Sequence, residues 1–108
     1  MIQSRRVDYI DYYRGDTIAA RTFTIAEDGS PVDLAGVAIS IRFRNGSQVV
    51  SKSIGSGVTV TDEPGGVFRL EPFALTESGA WRYDVQLEYP DGTILTIVWG
   101  YIEIVDDV

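Results

Sequence analysis

The chain has 108 residues, 44% apolar and 23% charged, which fits one globular domain with a single core rather than a disordered segment. Its net charge of −7 disfavours nucleic acid and anionic membrane as partners, because phosphates would be repelled. With no cysteine and no histidine, disulfides, thiol chemistry, cysteine-based metal sites and the commonest general base are excluded.

Residues 1–13, "MIQSRRVDYIDYY", lack the apolar run of a signal peptide and read as an arm or edge strand. A soluble chain that is not exported on its own is therefore expected. Arg14-Gly15-Asp16 spells an integrin-binding tripeptide. Gly15 suits a turn and Asp16 suits a main-chain hydrogen bond where a strand begins, so the tripeptide is read as a strand boundary, not a ligand. In "TIAARTFTIAED" the apolar frame slips from Ile18 and Ala20 to Phe23 and Ile25, which predicts a bulge near Arg21 or Thr22.

A turn at "EDGSP" leads to "VAISIRFR", where Val37, Ile39, Ile41 and Phe43 alternate with polar residues as in a half-buried strand. Asn45-Gly46 predicts a hairpin. The same residues form a glycosylation sequon with Ser47, a weaker reading without a signal peptide. "GVTVT" and "GVFRLEP" are short strands around the turn "EPGG", and "EPFALTES" is the one stretch that could make a helical turn. "GAWRYDVQLEY" is the clearest strand, with Trp81, Tyr83, Val85, Leu87 and Tyr89 on one face. It turns at "YPDGT" into the last strand.

That last strand, "ILTIVWGYIEIV", is apolar in both alternating sets, although a sandwich strand should keep one polar face. Two readings stand side by side. The segment switches sheets or lies under the N-terminal arm, or else Trp99 and Tyr101 join Tyr12 or Tyr13 in an aromatic contact patch for another protein chain.

About seven to nine strands without crossover helices predict an all-β, antiparallel, Ig-like β-sandwich spanning residues 14–108. "LTESGAWRY" resembles the strand-F region of immunoglobulin domains, with Trp81 in the place of the corner tyrosine and Tyr83 in that of the disulfide cysteine. The acids Asp28, Asp62, Glu63, Asp91, Asp106 and Asp107 fall at turns, with no calcium-type D-x-D-x-D run and no G-x-S-x-G, Walker or Rossmann pattern. No catalytic residue, cofactor or metal is expected.

Taken in order, Gly15-Asp16-Thr17, "EDGSPVDLAGVAI", "DEPGGVF" and the closing Asp91-Gly92-Thr93, Thr96, Gly100, Ile102 and Ile104 resemble the Ig-like domains of bacteriophage tail and baseplate proteins. The N-terminal domain of the baseplate upper protein family is similar in this series. Ala35 stands where that family usually has Thr, and Val37 where it usually has Ala. The resemblance covers about residues 14 to 106. It implies a non-catalytic structural part of a phage or prophage virion, assembled in the host cytoplasm, that contacts other tail proteins or copies of itself. The alternative is a bacterial surface or carbohydrate-binding β-sandwich module, in which exposed Trp and Tyr would stack on sugars.

Overall fold

The computed structural model describes residues 5–106; the first four residues of the arm and Asp107, one of the predicted turn acids, lie outside them. In chain order the strands are β1 (Arg5–Arg6), β2 (Tyr12–Tyr13), β3 (Arg21–Thr24), β4 (Ala26–Glu27), β5 (Ser30–Pro31) and β6 (Ala38–Asn45). They continue as β7 (Gln48–Ile54), β8 (Gly57–Asp62), β9 (Val67–Leu70), β10 (Gly79–Glu88) and β11 (Ile94–Val105). The fold is all-β, and no helix occurs among the described residues. The stretch "EPFALTES", the one that could make a helical turn, is instead extended. Phe73 and Leu75 are buried on alternate positions with Ala74 exposed between them, so the segment plugs the core as a strand would.

One nine-stranded sheet runs β1-β11-β10-β6-β7-β8-β9-β3, with β2 also on β11, and β4–β5 form a separate hairpin. The sheet curls over on itself as a half-barrel, so that Arg21 of β3 lies over the Tyr9 ring and Phe43 of β6 packs on Phe73. The expectation of purely antiparallel pairing needs correction in three places. β1 and β2 both run parallel to β11, because the N-terminal arm returns along that edge. β7 and β8 also pair parallel at Ser53–Gly57 and Ile54–Val58. There a tight loop closed by Ser53, Gly55 and Ser56 backbone hydrogen bonds carries the chain round the corner of the curl.

β10 supplies the centre of the core: Trp81, Tyr83, Val85 and Leu87 are all buried, as the alternation predicts. Trp81 Nε1 donates to the Glu77 carbonyl at 2.9 Å. This bond to backbone four residues upstream ties down the start of the strand as a tyrosine corner does. Tyr83 donates its hydroxyl to the Val7 carbonyl and packs on Phe43 and Tyr9, closing the core with aromatic rings.

The predicted bulge near Arg21 or Thr22 is not there. β3 pairs with β9 in continuous register from Arg21 to Thr24. Ile18 makes only an isolated bridge to Phe73, and the frame change is absorbed at Ala19 and Ala20, outside any ladder. A bulge does occur in β11, where Val85 pairs with Val98 but Gln86 pairs with Thr96. Ile97 is the extra residue. Leu95 and Ile97 therefore face inward before it, and Val98, Ile102 and Ile104 after it, while Trp99 and Tyr101 face outward. The two apolar sets are largely successive halves of one inner face.

The turns follow their chemistry. Asp28 and Gly29 both take positive φ (52° and 80°), the type I′ geometry of a two-residue hairpin, and the segment after it inserts Leu34 into the core. The β6–β7 hairpin is centred on Gly46-Ser47, one residue later than Asn45-Gly46. The Asn45 amide nitrogen that a glycan would modify donates to the Ser78 carbonyl at 3.0 Å. In the tripeptide, Gly15 has φ +82° and the backbone is held by Arg14 N–H to the Val105 carbonyl and Gly15 N–H to the Leu75 carbonyl. It forms a turn joining the arm to the core segment, followed by the Ile18 bridge rather than a long strand.

Burial pushes the Tyr83 hydroxyl up to about 12, with the Arg21 charge opposing, and burial also raises Tyr9. Both folded values lie above the ordinary 10.0 of the phenol. The stabilisation is therefore complete below that value and is lost as pH rises through the folded ones. Urea titrations should show stability falling above the ordinary phenol value by about 1.4 kcal/mol per pH unit for each of the two phenols, about 2.7 kcal/mol per unit together. A flat profile into strongly alkaline solution would contradict the buried placement of both rings.

Candidate functional site

The outer face of β1, β11, β10 and β6 gathers the aromatic residues and arginines that the sequence leaves outside the core. Register fixes the arrangement: Arg6 sits opposite Trp99, Trp99 opposite Asp84, and Asp84 opposite Arg42. One step along, Tyr101 lies opposite Arg82, and Arg82 opposite Arg44. The Arg6 guanidinium lies 5.3 Å from the Trp99 ring centre and 5.2 Å from that of Tyr101, and the Arg82 guanidinium lies 5.2 Å from Trp99. Trp99 and Tyr101 meet edge to face at 6.3 Å. The half-buried indole is thus held by two cations and a neighbouring ring.

The arm positions this cluster. Val7 N–H donates to the Trp99 carbonyl at 2.8 Å and Tyr9 N–H to the Tyr101 carbonyl at 2.9 Å. Asp8 accepts from the Tyr101 N–H at 3.1 Å and pairs with Arg6 at 3.1 Å. That pairing holds the exposed Asp8 carboxyl below, and the Arg6 guanidinium above, its usual value. Gly100 allows the close approach, since a Cβ there would run into the Val7 carbonyl oxygen. On the β10–β6 side, Arg42 donates to Gln86 at 2.8 Å. Arg42 Nε and Asp84 Oδ1 are shielded from solvent without a hydrogen-bond partner among the described residues.

The four residues proposed from sequence as a contact patch do not all share this face. Trp99 and Tyr101 are neighbours on it, with Tyr101 39% exposed. Tyr13 is 52% exposed but pairs with Val105, about 13 Å further along β11. Tyr12 pairs with Ile104 and packs against the core, because a two-residue strand turns its neighbours to opposite faces. The patch inferred from aromatics alone missed Arg6 and Arg82. Their positions follow from Arg82 alternating outward along β10 and from the parallel pairing of the arm.

A second concavity, a cleft of 360 Å³, opens where the curled sheet's edges face each other. Its walls are Arg5 and Val7 on one side and Arg21 to Ala26 on the other, with Ile97 and Val98 between them. Among the described residues no carboxylate lines it. Among the described residues no group of three or more acidic, histidine or cysteine side chains could hold a metal ion, and no helix is long and apolar enough to cross a membrane. Three of the predicted turn acids serve local structure: Asp62 accepts from Gly65 N–H, Asp91 from Thr93 N–H, and Asp106 pairs with Arg14 at 3.6 Å.

No protein-family model matches the sequence, and no curated protein matches it. Among solved structures, the chain is similar to part of a protein from Bacteroides vulgatus described as a "putative glycoside hydrolase", with TM-score 0.53 and 16% identity. The match covers 94% of this chain but only 17% of that one. At this identity the likeness bears on the fold alone, and it agrees with an all-β chain.

Proposed function

We propose that the chain is a non-catalytic structural module of a bacteriophage or prophage tail or baseplate, working through protein–protein contact on its outer β1–β11–β10 face. The observation that carries the contact is the Trp99 indole, held between Arg6 and Arg82 beside the exposed Tyr101. Trp, Tyr and Arg are the residue types that dominate binding energy at protein interfaces. Rings already fixed by cations lose little side-chain freedom when a partner covers them. The tail assignment is supported by the ordered series Gly15-Asp16-Thr17, "EDGSPVDLAG", "DEPGGVF" and Asp91-Gly92-Thr93. In that setting the partners are other tail proteins or further copies of this chain, within a virion assembled in the host cytoplasm.

Light scattering after size exclusion tests self-contact over a range of concentrations. The wild type should associate, whereas Trp99→Ala should stay monomeric with an unchanged circular dichroism spectrum. A wild type that stays monomeric at the highest concentration, or a Trp99→Ala chain that unfolds, would count against the face as a contact surface between copies.

The second reading, a carbohydrate-binding module, is favoured by one observation. The structural match spans 17% of a much longer chain described as a "putative glycoside hydrolase", as an accessory domain of such a protein would. Against it, a sugar stacking on Trp99 would compete with the Arg6 and Arg82 guanidiniums already over the ring. A glycan array without binding by the wild type would remove this reading.

A further inference from the structure

The cleft between β3 and the β1–β11 edge carries a charge arrangement that the outer face does not explain. Alternation along β3 turns Arg21 inward with Phe23 and Ile25, although arginine rarely faces a core. Its guanidinium lies 4.0 Å from the Tyr9 ring centre, and its Nη1 is shielded from solvent without a hydrogen-bond partner among the described residues. No carboxylate forms an ion pair with Arg21 among the described residues, whereas Arg6, Arg14 and Arg69 each have one. Across the opening, Arg5 pairs with Val98 on the inward side of β11 and lines the same cleft. The rest of the lining includes the apolar side chains of Val7, Phe23, Ile25 and Ile97. A chain of net charge −7 thus lines one cleft with an arginine from each edge, threonines and apolar side chains, and with no acid among the described residues of its wall.

We propose that this cleft binds a small organic carboxylate, its anionic end held by Arg21 and Arg5 and its apolar body laid along Phe23, Ile25 and Ile97. Guanidinium is a planar donor that matches a carboxylate with two parallel hydrogen bonds, and it is less costly to desolvate than an ammonium. The cleft volume of 360 Å³ falls at the small end of ligand sites, which run from about 300 to 1,000 Å³. The site lies on the opposite side of β11 from Trp99, so the proposal is independent of the contact face.

Calorimetric and NMR titration of the full chain with hexanoate, hexanamide and inorganic phosphate tests this directly. Hexanoate should saturate and shift the amides of Phe23 to Ile25 and of Ile97 and Val98. Hexanamide, of the same shape without charge, should bind about tenfold more weakly or worse. Arg21→Gln should abolish that preference, and Arg5→Gln, at the exposed rim, should reduce it while leaving the fold unchanged. The comparison of the two ligands on the wild type stands even if Arg21→Gln fails to fold. Equal binding of hexanoate and hexanamide, shifts outside the cleft, or no saturable hexanoate binding would overturn the proposal. Phosphate binding as tightly as hexanoate would overturn the assignment to an organic carboxylate.

Discussion

Replacing Gly100 by valine should detach the N-terminal arm from β11 and destabilise the domain by about 3 kcal/mol. The side chain has nowhere to go, because a Cβ at this position meets the Val7 carbonyl and, at 2.9 Å, Asp8 Oδ1. The first obstacle is backbone, held in place by Val7 N–H to Trp99 and by the Tyr83 hydroxyl donating to the same Val7 carbonyl. Relief requires the arm to lift, which uncovers the buried Tyr9 ring and leaves Tyr83 without its acceptor. Thermal unfolding should shift down by about 10–20 °C for a domain of this size. Amide exchange should show Val7 and Tyr9 opening first. Their continued protection in the variant would mean that the arm is not held as described. Because Arg6 and Arg5 ride on this arm, the same substitution should weaken both the outer face and the cleft.

Trp81→Ala should cost about 3–5 kcal/mol, the usual range for deleting a fully buried large aromatic. Trp81 is 1% exposed and anchors the start of β10, the strand that pairs with both β6 and β11. Trp81→Phe separates packing from hydrogen bonding. It keeps most of the ring contact but leaves the Glu77 carbonyl without its indole donor, for an expected loss of about 1–3 kcal/mol. Denaturant midpoints of the two variants measure this. A Phe variant as damaged as the Ala variant would show that the bond to Glu77, not packing, fixes the corner.

The core of this fold was legible in sequence wherever one frame of alternation ran unbroken. Val37 to Phe43 and Trp81 to Leu87 needed no structure, because a period of two with one polar face has one solution. β11 defeated that rule for a definite reason: an extra residue, Ile97, changes which frame is inward halfway along, and a bulge leaves no local composition signal. The parallel pairing of the arm was equally silent, since a two-residue strand has no period to read. For the same reason Tyr12 and Tyr13 looked equivalent, although one packs inward and the other does not. Arg21 is different. It shares the inward frame of Phe23 and Ile25 in "RTFTI", and an arginine in a core frame is a readable sign of a charged cleft.

Side-chain oxidation footprinting of Trp99 and Tyr101 in the wild type, at low and high protein concentration, tests the proposed contact face most directly. Trp81, fully buried, and Tyr13, further along the sheet, act as internal controls. Oxidation of Trp99 and Tyr101 should fall as the chain associates, while Tyr13 changes less and Trp81 stays unreactive throughout. Association with Trp99 and Tyr101 as reactive as in the monomer would contradict it.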